Sequence, residues 1–452
     1  MTAGSPTQPR PCALRVGIVG GGVLGMTLAL RLRQSGAEVT LLEAADRGGG
    51  LAGSAPIGGH VWDRFYHVIL LSDAHTRRLL EELGLADRLR WGITRTGFFT
   101  DGRLHSLSTS VEFLRFPALS LHDKLRLGGT IFLASRVRDW RRLESVLAVD
   151  WLTRWSGRRV VERIWLPLLK SKLGDNYRIA SASFIWAIIA RMYAARRSGL
   201  KREMFGYVDG GYEVVLDALQ RALARAGVTT TFGARVDDIR DDSGRVDVRL
   251  ADGRSMTFDR VVATTPTGTI ARMCPQLTEA EKARLRDITY QGIVCPSLLL
   301  RKPLSPYYVT NITDRWVPFT GVIEMTALVD RERFGGMSLV YLPCYLAQDD
   351  RSWAKADGEL LDQCMDALER MYPHFDRADV VATQVGRARE VLAISTLGYS
   401  TKLMPGLRTS LPNVFVLNSA QIVAGTLNVN ETLGVVNQHL DELKACLGLG
   451  GG

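Results

Sequence analysis

No stretch of this 452-residue chain is apolar for long enough to span a bilayer. The nearest run, Phe184 to Ala190, falls far short of the roughly 20 residues a crossing helix needs. The opening residues, MTAGSPTQPRPCALR, contain no charged-then-apolar leader, and the expectation is a cytoplasmic protein. The six cysteines, at 12, 274, 295, 344, 364 and 446, form no C-x-x-C pair and no metal-ligand spacing. They read as reduced structural thiols, and no metal site is expected. The chain also lacks a nucleic-acid recognition motif, so its net charge of +10 does not point to DNA or RNA.

That charge is unevenly placed. Between Arg136 and Arg202 there are 16 Lys or Arg against 5 Asp or Glu, which exceeds the net charge of the whole chain. The same segment carries five of the nine tryptophans. Three readings stay open: basic solvated helix faces over aromatic cores, peripheral contact with an anionic membrane through residues 136–202, or a ring of cations around an acidic substrate. Membrane-peripheral localisation is the corresponding variant of the cytoplasmic expectation.

What the chain has in concentrated form is glycine near its start. Leu14 to Val19 is a short β-branched run of the kind found in buried parallel strands. Gly20, Gly22 and Gly25 then form G-x-G-x-x-G. The first permits a tight turn, the second lets the backbone approach a pyrophosphate, and the third lets the following helix pack on the strand. Val23 and Leu24 open that helix, whose positive end would face the phosphates. Glu43 ends the next strand 18 residues past Gly25, where a carboxylate accepts both ribose hydroxyls of an adenosine and repels a 2′-phosphate. Ala44 follows it at the adenosine end. NAD and FAD share these features; the continuation separates them. Arg47, Gly49, Gly50, Leu51 and Ser54 complete E-x-x-x-R-x-G-G-x-x-x-S, in which Arg47 reaches toward the pyrophosphate and the paired glycines bring main chain close to a planar ring.

This pattern resembles the flavin signature of the superfamily that contains monoamine oxidase, protoporphyrinogen oxidase and phytoene desaturase. Many amine oxidases have arginine after the glycine pair. Leu51 stands there in this chain, as in some desaturase-like and protoporphyrinogen-oxidase-like branches. The resemblance implies FAD as cofactor, the backbone of Val236 against the adenine, and a final strand and turn that close the flavin site. Relatives have Ala-Gly-Asp at that turn; here it reads Asn418, Ser419, Ala420, Gln421, and the Asn418 and Gln421 amides are the expected partners of the ribityl hydroxyls. The resemblance also implies a doubly wound α/β FAD domain assembled from residues 1–70, 205–270 and 410–447. A helical insertion (71–204) and a mixed-sheet substrate domain (271–409) complete the chain.

Two side chains are candidates for acid–base work. His67 follows the glycine pair on a segment that, in relatives, runs along the flavin face, and Asp63 precedes it by four; in a strand that spacing would separate them. The sequence Phe65-Tyr66-His67 is similar to the histidine loop of UDP-galactopyranose mutases. Glu324 lies in an otherwise apolar strand, GVIEMTALV. The expected activity is hydride transfer from a C–H bond of a largely apolar or ring-shaped small molecule to flavin N5, with O₂ or another oxidant as final acceptor. A redox-neutral reaction on a nucleotide sugar or lipid-linked intermediate, and a non-catalytic flavin-binding partner protein, are the alternatives.

Overall fold

The computed structural model describes residues 13–196, 204–423 and 425–449. Its first layer is a five-stranded, all-parallel sheet. Strand β1 (Arg15–Val19) lies at the centre, with β2 (Glu38–Leu42) and then Thr229–Thr231 on one side, and Arg260–Ala263 and then Val414–Val416 on the other. The central strands are mostly apolar because both faces of the sheet are covered there, whereas the edge strand Thr229–Thr231 is three threonines and part-exposed. One face packs on helix α1 (Val23–Gln34) and on the helices Gly211–Ala226 and Val429–Leu447, around Ile18, Leu28, Leu41 and Leu219. The other carries an antiparallel ribbon of three strands (residues 236–258) and two short helices, around Val246, Val261 and Ile270. Strands far apart in sequence thus build one sheet, and its carboxyl edge is where α/β folds bind nucleotides.

The second layer is an eight-stranded mixed sheet built on Tyr290–Leu300, every residue of which is buried. The long strand Val380–Ala393 runs antiparallel along it. Its far edge is the hairpin Thr96–Thr100 and Arg103–Ser106, turned at Asp101-Gly102. That hairpin falls within the range assigned from sequence to the helical insertion, yet it pairs in parallel with Val309–Ile312. The insertion proper is the helical run from Ser110 onward.

The sequence pattern places a strand end near Val236 and breaks in the helical insertion at Ser156-Gly157, Pro167 and Gly174; two of these expectations are corrected. Val236 does not end the strand after helix Gly211–Ala226; it begins the antiparallel ribbon, while the short strand Thr229–Thr231 joins the parallel sheet. Pro167 does not break the helices of the insertion. A π turn at Val161–Trp165 precedes it, so the proline stands at the start of the helical segment Leu166–Leu173 rather than in the middle of a regular hydrogen-bond ladder. The breaks fall at Gly157 and Gly174, both with positive φ.

The tryptophans of the basic segment mostly face inward. Trp151 is buried, Trp165 Nε1 donates to Ser156 Oγ at 3.0 Å, and Trp186 Nε1 donates to the Ala134 carbonyl at 2.9 Å. Trp155, at 41%, is the most exposed of the five. Among the described residues no helix is long and apolar enough to cross a membrane. Residues 1–12 and 197–202, on which the leader and part of the basic-segment readings rest, lie outside the described residues.

Candidate functional site

A cavity of about 570 Å³ opens at the carboxyl edge of the parallel sheet and continues to the face of the mixed sheet. Its floor is the glycine turn. Gly20 has φ +114°, and a Cβ there would lie 2.5 Å from Thr264 Oγ1, which is itself held by the carbonyls of Val19 and Gly20. At Gly25 a Cβ would fall 1.9 Å from the Gly20 carbonyl oxygen, so only glycine lets α1 start this close to β1. Gly22 is different. Its φ is −68°, and a Cβ would find no protein atom nearer than Gly50 Cα at 4.0 Å. Since Gly22 lines the cavity, that methyl group would occupy ligand space.

The second glycine pair is bound to the first turn. Gly49 donates its amide to the Gly21 carbonyl at 2.8 Å, and Gly22 and Gly49 form an isolated parallel bridge. Gly49 and Gly50 both have positive φ, and both line the cavity together with Leu51. The first turn of α1 has no side-chain N-cap and no acidic residue, so the amides around Val23 and Leu24 face the cavity with the positive end of the helix dipole.

Glu43 also lies on the cavity wall, at the end of β2. Its carboxylate accepts from Gly21 N at 2.6 Å and from Ala45 N at 2.8 Å, which fixes its orientation. Ala44 and Arg47 are exposed and do not line the cavity; Arg47 instead pairs with Glu213. Val236 is buried at the start of the ribbon and is not on the wall. Asn418 and Gln421 turn inward as well. They cap each other across the short turn Ser419–Gln421: Asn418 N donates to Gln421 Oε1 at 2.9 Å, and Ala420 N donates to Asn418 Oδ1 at 3.0 Å. Their remaining amide hydrogens go to the carbonyls of Thr265, Pro405 and Val416. Ser419, between them, reaches the cavity.

His67 lines the cavity, and its Nδ1 is 3.5 Å from Asp63 Oδ2. The strand His60–Asp63 ends at Asp63 and the chain then turns, so residues four apart come together rather than lying along an extended strand. Asp63 is buried and held by Tyr212 N at 2.7 Å; the Tyr212 ring lies 5.0 Å from the His67 ring. Glu324, by contrast, is not on the cavity wall. It is 1% exposed, and it accepts from Leu304 N at 3.1 Å and Thr326 Oγ1 at 3.3 Å. Burial pushes its carboxyl up to about 7 in spite of those hydrogen bonds.

Apart from Tyr66, which stands in the Phe65-Tyr66-His67 motif, several wall residues had no signal of their own in the sequence. Tyr66 and Tyr345 meet hydroxyl to hydroxyl at 2.9 Å, and burial raises the Tyr66 phenol well above its usual range. Lys172, from the helical insertion, places its Nζ 5.4 Å from the Tyr345 ring centroid. Arg191 Nη2 bonds Asp73 Oδ2 at 3.1 Å, while its Nη1 is buried with no protein partner. Between these polar groups the wall is apolar, from Ile188, Phe205, Ile293 and Leu392. Among the described residues no group of three or more His, Cys, Asp or Glu is placed to hold a metal ion.

The residues present fit a flavin dinucleotide. Gly22 leaves ligand space that no protein atom uses, uncapped amides face the same space, and Glu43 stands at one end of it. Residues 25–418 match the model of the family described as flavin containing amine oxidoreductase. Coproporphyrinogen III oxidase of Mycobacterium tuberculosis is 28% identical over 291 residues, which cover 60% of this chain and 63% of that enzyme. The chain therefore matches slightly under two thirds of the length of that relative. The flavin-dependent L-tryptophan oxidase of Lentzea aerocolonigenes is 24% identical over 413 residues, 83% of this chain and 84% of that protein. Reduced UDP-galactopyranose mutase superposes with a TM-score of 0.72 at 16% identity, covering 97% of each chain, and so shares the fold. FAD is the cofactor, and the chain belongs to the flavin containing amine oxidoreductase family.

Proposed function

We propose that this protein is an FAD-dependent oxidoreductase that takes hydride from a C–H bond of a small, largely apolar or ring-shaped molecule bearing an anionic group. The observation that carries this reading is a cavity that joins the glycine cradle to a largely apolar chamber in which Lys172 and the free Nη1 of Arg191, whose Nη2 is paired with Asp73, stand beside the acid Glu390. Gly22, Val23, Leu24, Gly49, Gly50 and Glu43 would hold FAD, which supplies the hydride acceptor, with O₂ or another oxidant as the final electron sink. The rest of the chemistry belongs to the wall. Ile293 and Leu392 exclude water from the substrate and strengthen every polar contact beside them. The unsatisfied Nη1 of Arg191 and the Lys172 ammonium orient a carboxylate. Asp63, 3.5 Å from His67 Nδ1 but not hydrogen-bonded to it, favours a proton on that nitrogen through its charge, leaving Nε2 to accept a proton from the substrate atom next to the broken C–H bond.

The relatives are consistent in kind, since they are named as oxidases of a porphyrinogen and of tryptophan. The test is anaerobic mixing of the purified yellow protein with cyclic and aromatic carboxylic acids while the visible flavin band is followed. Bleaching by one compound and recovery on admitting air support the reading. Failure of every such compound to bleach a flavin that dithionite readily reduces would remove it.

The same two cations also suit a pyrophosphate, and this favours one second reading: a redox-neutral reaction on a nucleotide sugar or lipid-linked diphosphate. Turnover of such a compound by reduced enzyme, with no consumption of an electron acceptor, would distinguish it.

A further inference from the structure

The wall of the cavity carries the carboxylates of Glu43, Asp73 and Glu390 and the cations of Lys172 and Arg191. Their pairing leaves one cation over. Glu43 is engaged by the amides of Gly21 and Ala45. Asp73 accepts from Arg191 Nη2 at 3.1 Å and from the Leu70 amide at 2.9 Å. Burial pushes the Glu390 carboxyl up against the pull of Arg272, its charged neighbour from outside the wall. Of the two wall cations, only Lys172 has no ion pair among the described residues. It stands in the last turn of the helix Leu166–Leu173, where the helix dipole favours a cation. Its Nζ lies 5.4 Å from the centroid of the Tyr345 ring. A ring face steadies an ammonium without neutralising its charge.

Tyr345 brings a second unspent donor to the same place. The strand Cys344–Leu346 pairs with Tyr290–Leu300 so that Tyr345 lies opposite Ile293, and both side chains reach the cavity. The Tyr345 and Tyr66 hydroxyls are 2.9 Å apart. Each phenol has one hydrogen to donate. Their mutual bond uses one of the two, whichever ring donates, and the other finds no acceptor among the described residues. Burial holds the Tyr66 phenol well above its usual range, so the pair keeps both protons. Tyr345 thus meets Lys172 with its ring and Tyr66 with its hydroxyl. Donors collect here without an acceptor, on a wall otherwise built from side chains such as Ile293 and Leu392. A donor left unpaired in such surroundings costs free energy until an acceptor arrives.

The occupant must therefore supply negative charge and an accepting oxygen together, which a carboxylate does. On the reading proposed above, on which this inference rests, the substrate's anionic group has two cations to choose between. Arg191 already has Asp73 as its counter-charge; Lys172 has none. We infer that Lys172 and the Tyr66–Tyr345 phenol pair form the subsite for the carboxylate of a ring-bearing acid, Lys172 meeting its charge and the spare phenol O–H one of its oxygens. The ring itself lies along the apolar side chains, and Arg191 Nη1 adds a hydrogen bond rather than the charge.

The experiment is calorimetric titration of the oxidised, flavin-loaded protein at neutral pH with benzoate and with its neutral isostere benzamide. Wild-type protein is expected to bind benzoate about tenfold or more tightly than benzamide. Lys172→Met should abolish that preference, and Lys172→Arg should retain most of it. Tyr66→Phe or Tyr345→Phe alone leaves one hydroxyl with a hydrogen to give, and benzoate affinity should fall about threefold. The two together should lower it about tenfold or more. Phenylalanine fills the same space, so folding is expected to survive; should the double variant unfold, the Lys172 variants carry the test. A preference for benzoate that survives Lys172→Met overturns the inference and gives the charge to Arg191. Undiminished benzoate binding by the folded double variant overturns it too, as does a wild type that binds benzamide as tightly as benzoate. All these outcomes concern binding to oxidised protein, so they are separate from whether any ring acid bleaches the flavin.

Discussion

Gly22 and Gly25 stand three residues apart in one turn, yet the structure gives them different reasons to be glycine. A methyl group at Gly25 collides with the Gly20 carbonyl at 1.9 Å; a methyl group at Gly22 meets only open cavity. Gly25→Ala is therefore expected to destabilise the fold by about 1–3 kcal/mol or more, as overpacking does. Gly22→Ala should melt within a degree or two of wild type and lose FAD affinity by about tenfold or more, the equivalent of 1.4 kcal/mol. Thermal melts and fluorescence titration of the two apoproteins check this pair. Glu324 yields a prediction in pH. Its carboxyl titrates near 7 when folded, against an ordinary value of 4.5, so the folded state keeps a proton that the unfolded state gives up. The stability this contributes is complete below 4.5 and is lost as pH rises to 7, a span worth about 3 kcal/mol to order of magnitude. Glu324→Gln should remove that slope, seen in urea denaturation at pH 5 against pH 8. Because Glu324 is off the cavity wall, flavin content should not change.

Short elements set which residues reach the cavity. The turn Ser419–Gln421 spends the Asn418 and Gln421 amides on its own backbone and leaves Ser419 pointing at ligand space. Gln421→Ala strips the acceptor from a buried Asn418 amide and is expected to cost about 1–3 kcal/mol of stability; guanidinium denaturation measures it, and FAD affinity should move little. A turn also brings His67 to Asp63. Alternation in GGHVWDRFYHVIL, residues 58–70, reads as a strand pair but does not locate where extended backbone stops. The reading of Asp63 and His67 as separated rested on a strand that ends at Asp63. Glycine turns were legible because their spacing is local, although the reasons differ: a positive φ at Gly20 and Gly49, a near contact at Gly25, and ligand space at Gly22. Lys172, Arg191 and Tyr345 were not, because each owes its place on the wall to long-range packing of the insertion and the mixed sheet against the parallel sheet.

Across the whole molecule, the cavity lies where the two sheets and the insertion meet, so a ligand filling it contacts segments far apart in the chain, from Gly20 to Thr432. The α/β architecture with a mixed second sheet follows from the order of apolar runs and turns. Which strand pairs with which does not, as the hairpin at residues 96–106 shows: its local pattern is plain, but its pairing partner lies two hundred residues on. A cofactor seated across such a junction stabilises the folded state by mass action, by about 2.7 kcal/mol at a hundredfold excess over its dissociation constant. Removal of FAD should accordingly lower the melting temperature, and its return should restore it; scanning calorimetry of the two forms checks this.

Equilibrium titration of the apoprotein with FAD, and separately with FMN, tests the central claim most directly. The cradle of Gly22, Gly49 and Gly50 with Glu43 at its far end predicts one FAD bound per chain and much weaker binding of FMN, which lacks the adenosine that Glu43 would hold. A folded protein that binds neither, or that takes FMN as tightly as FAD, would contradict it.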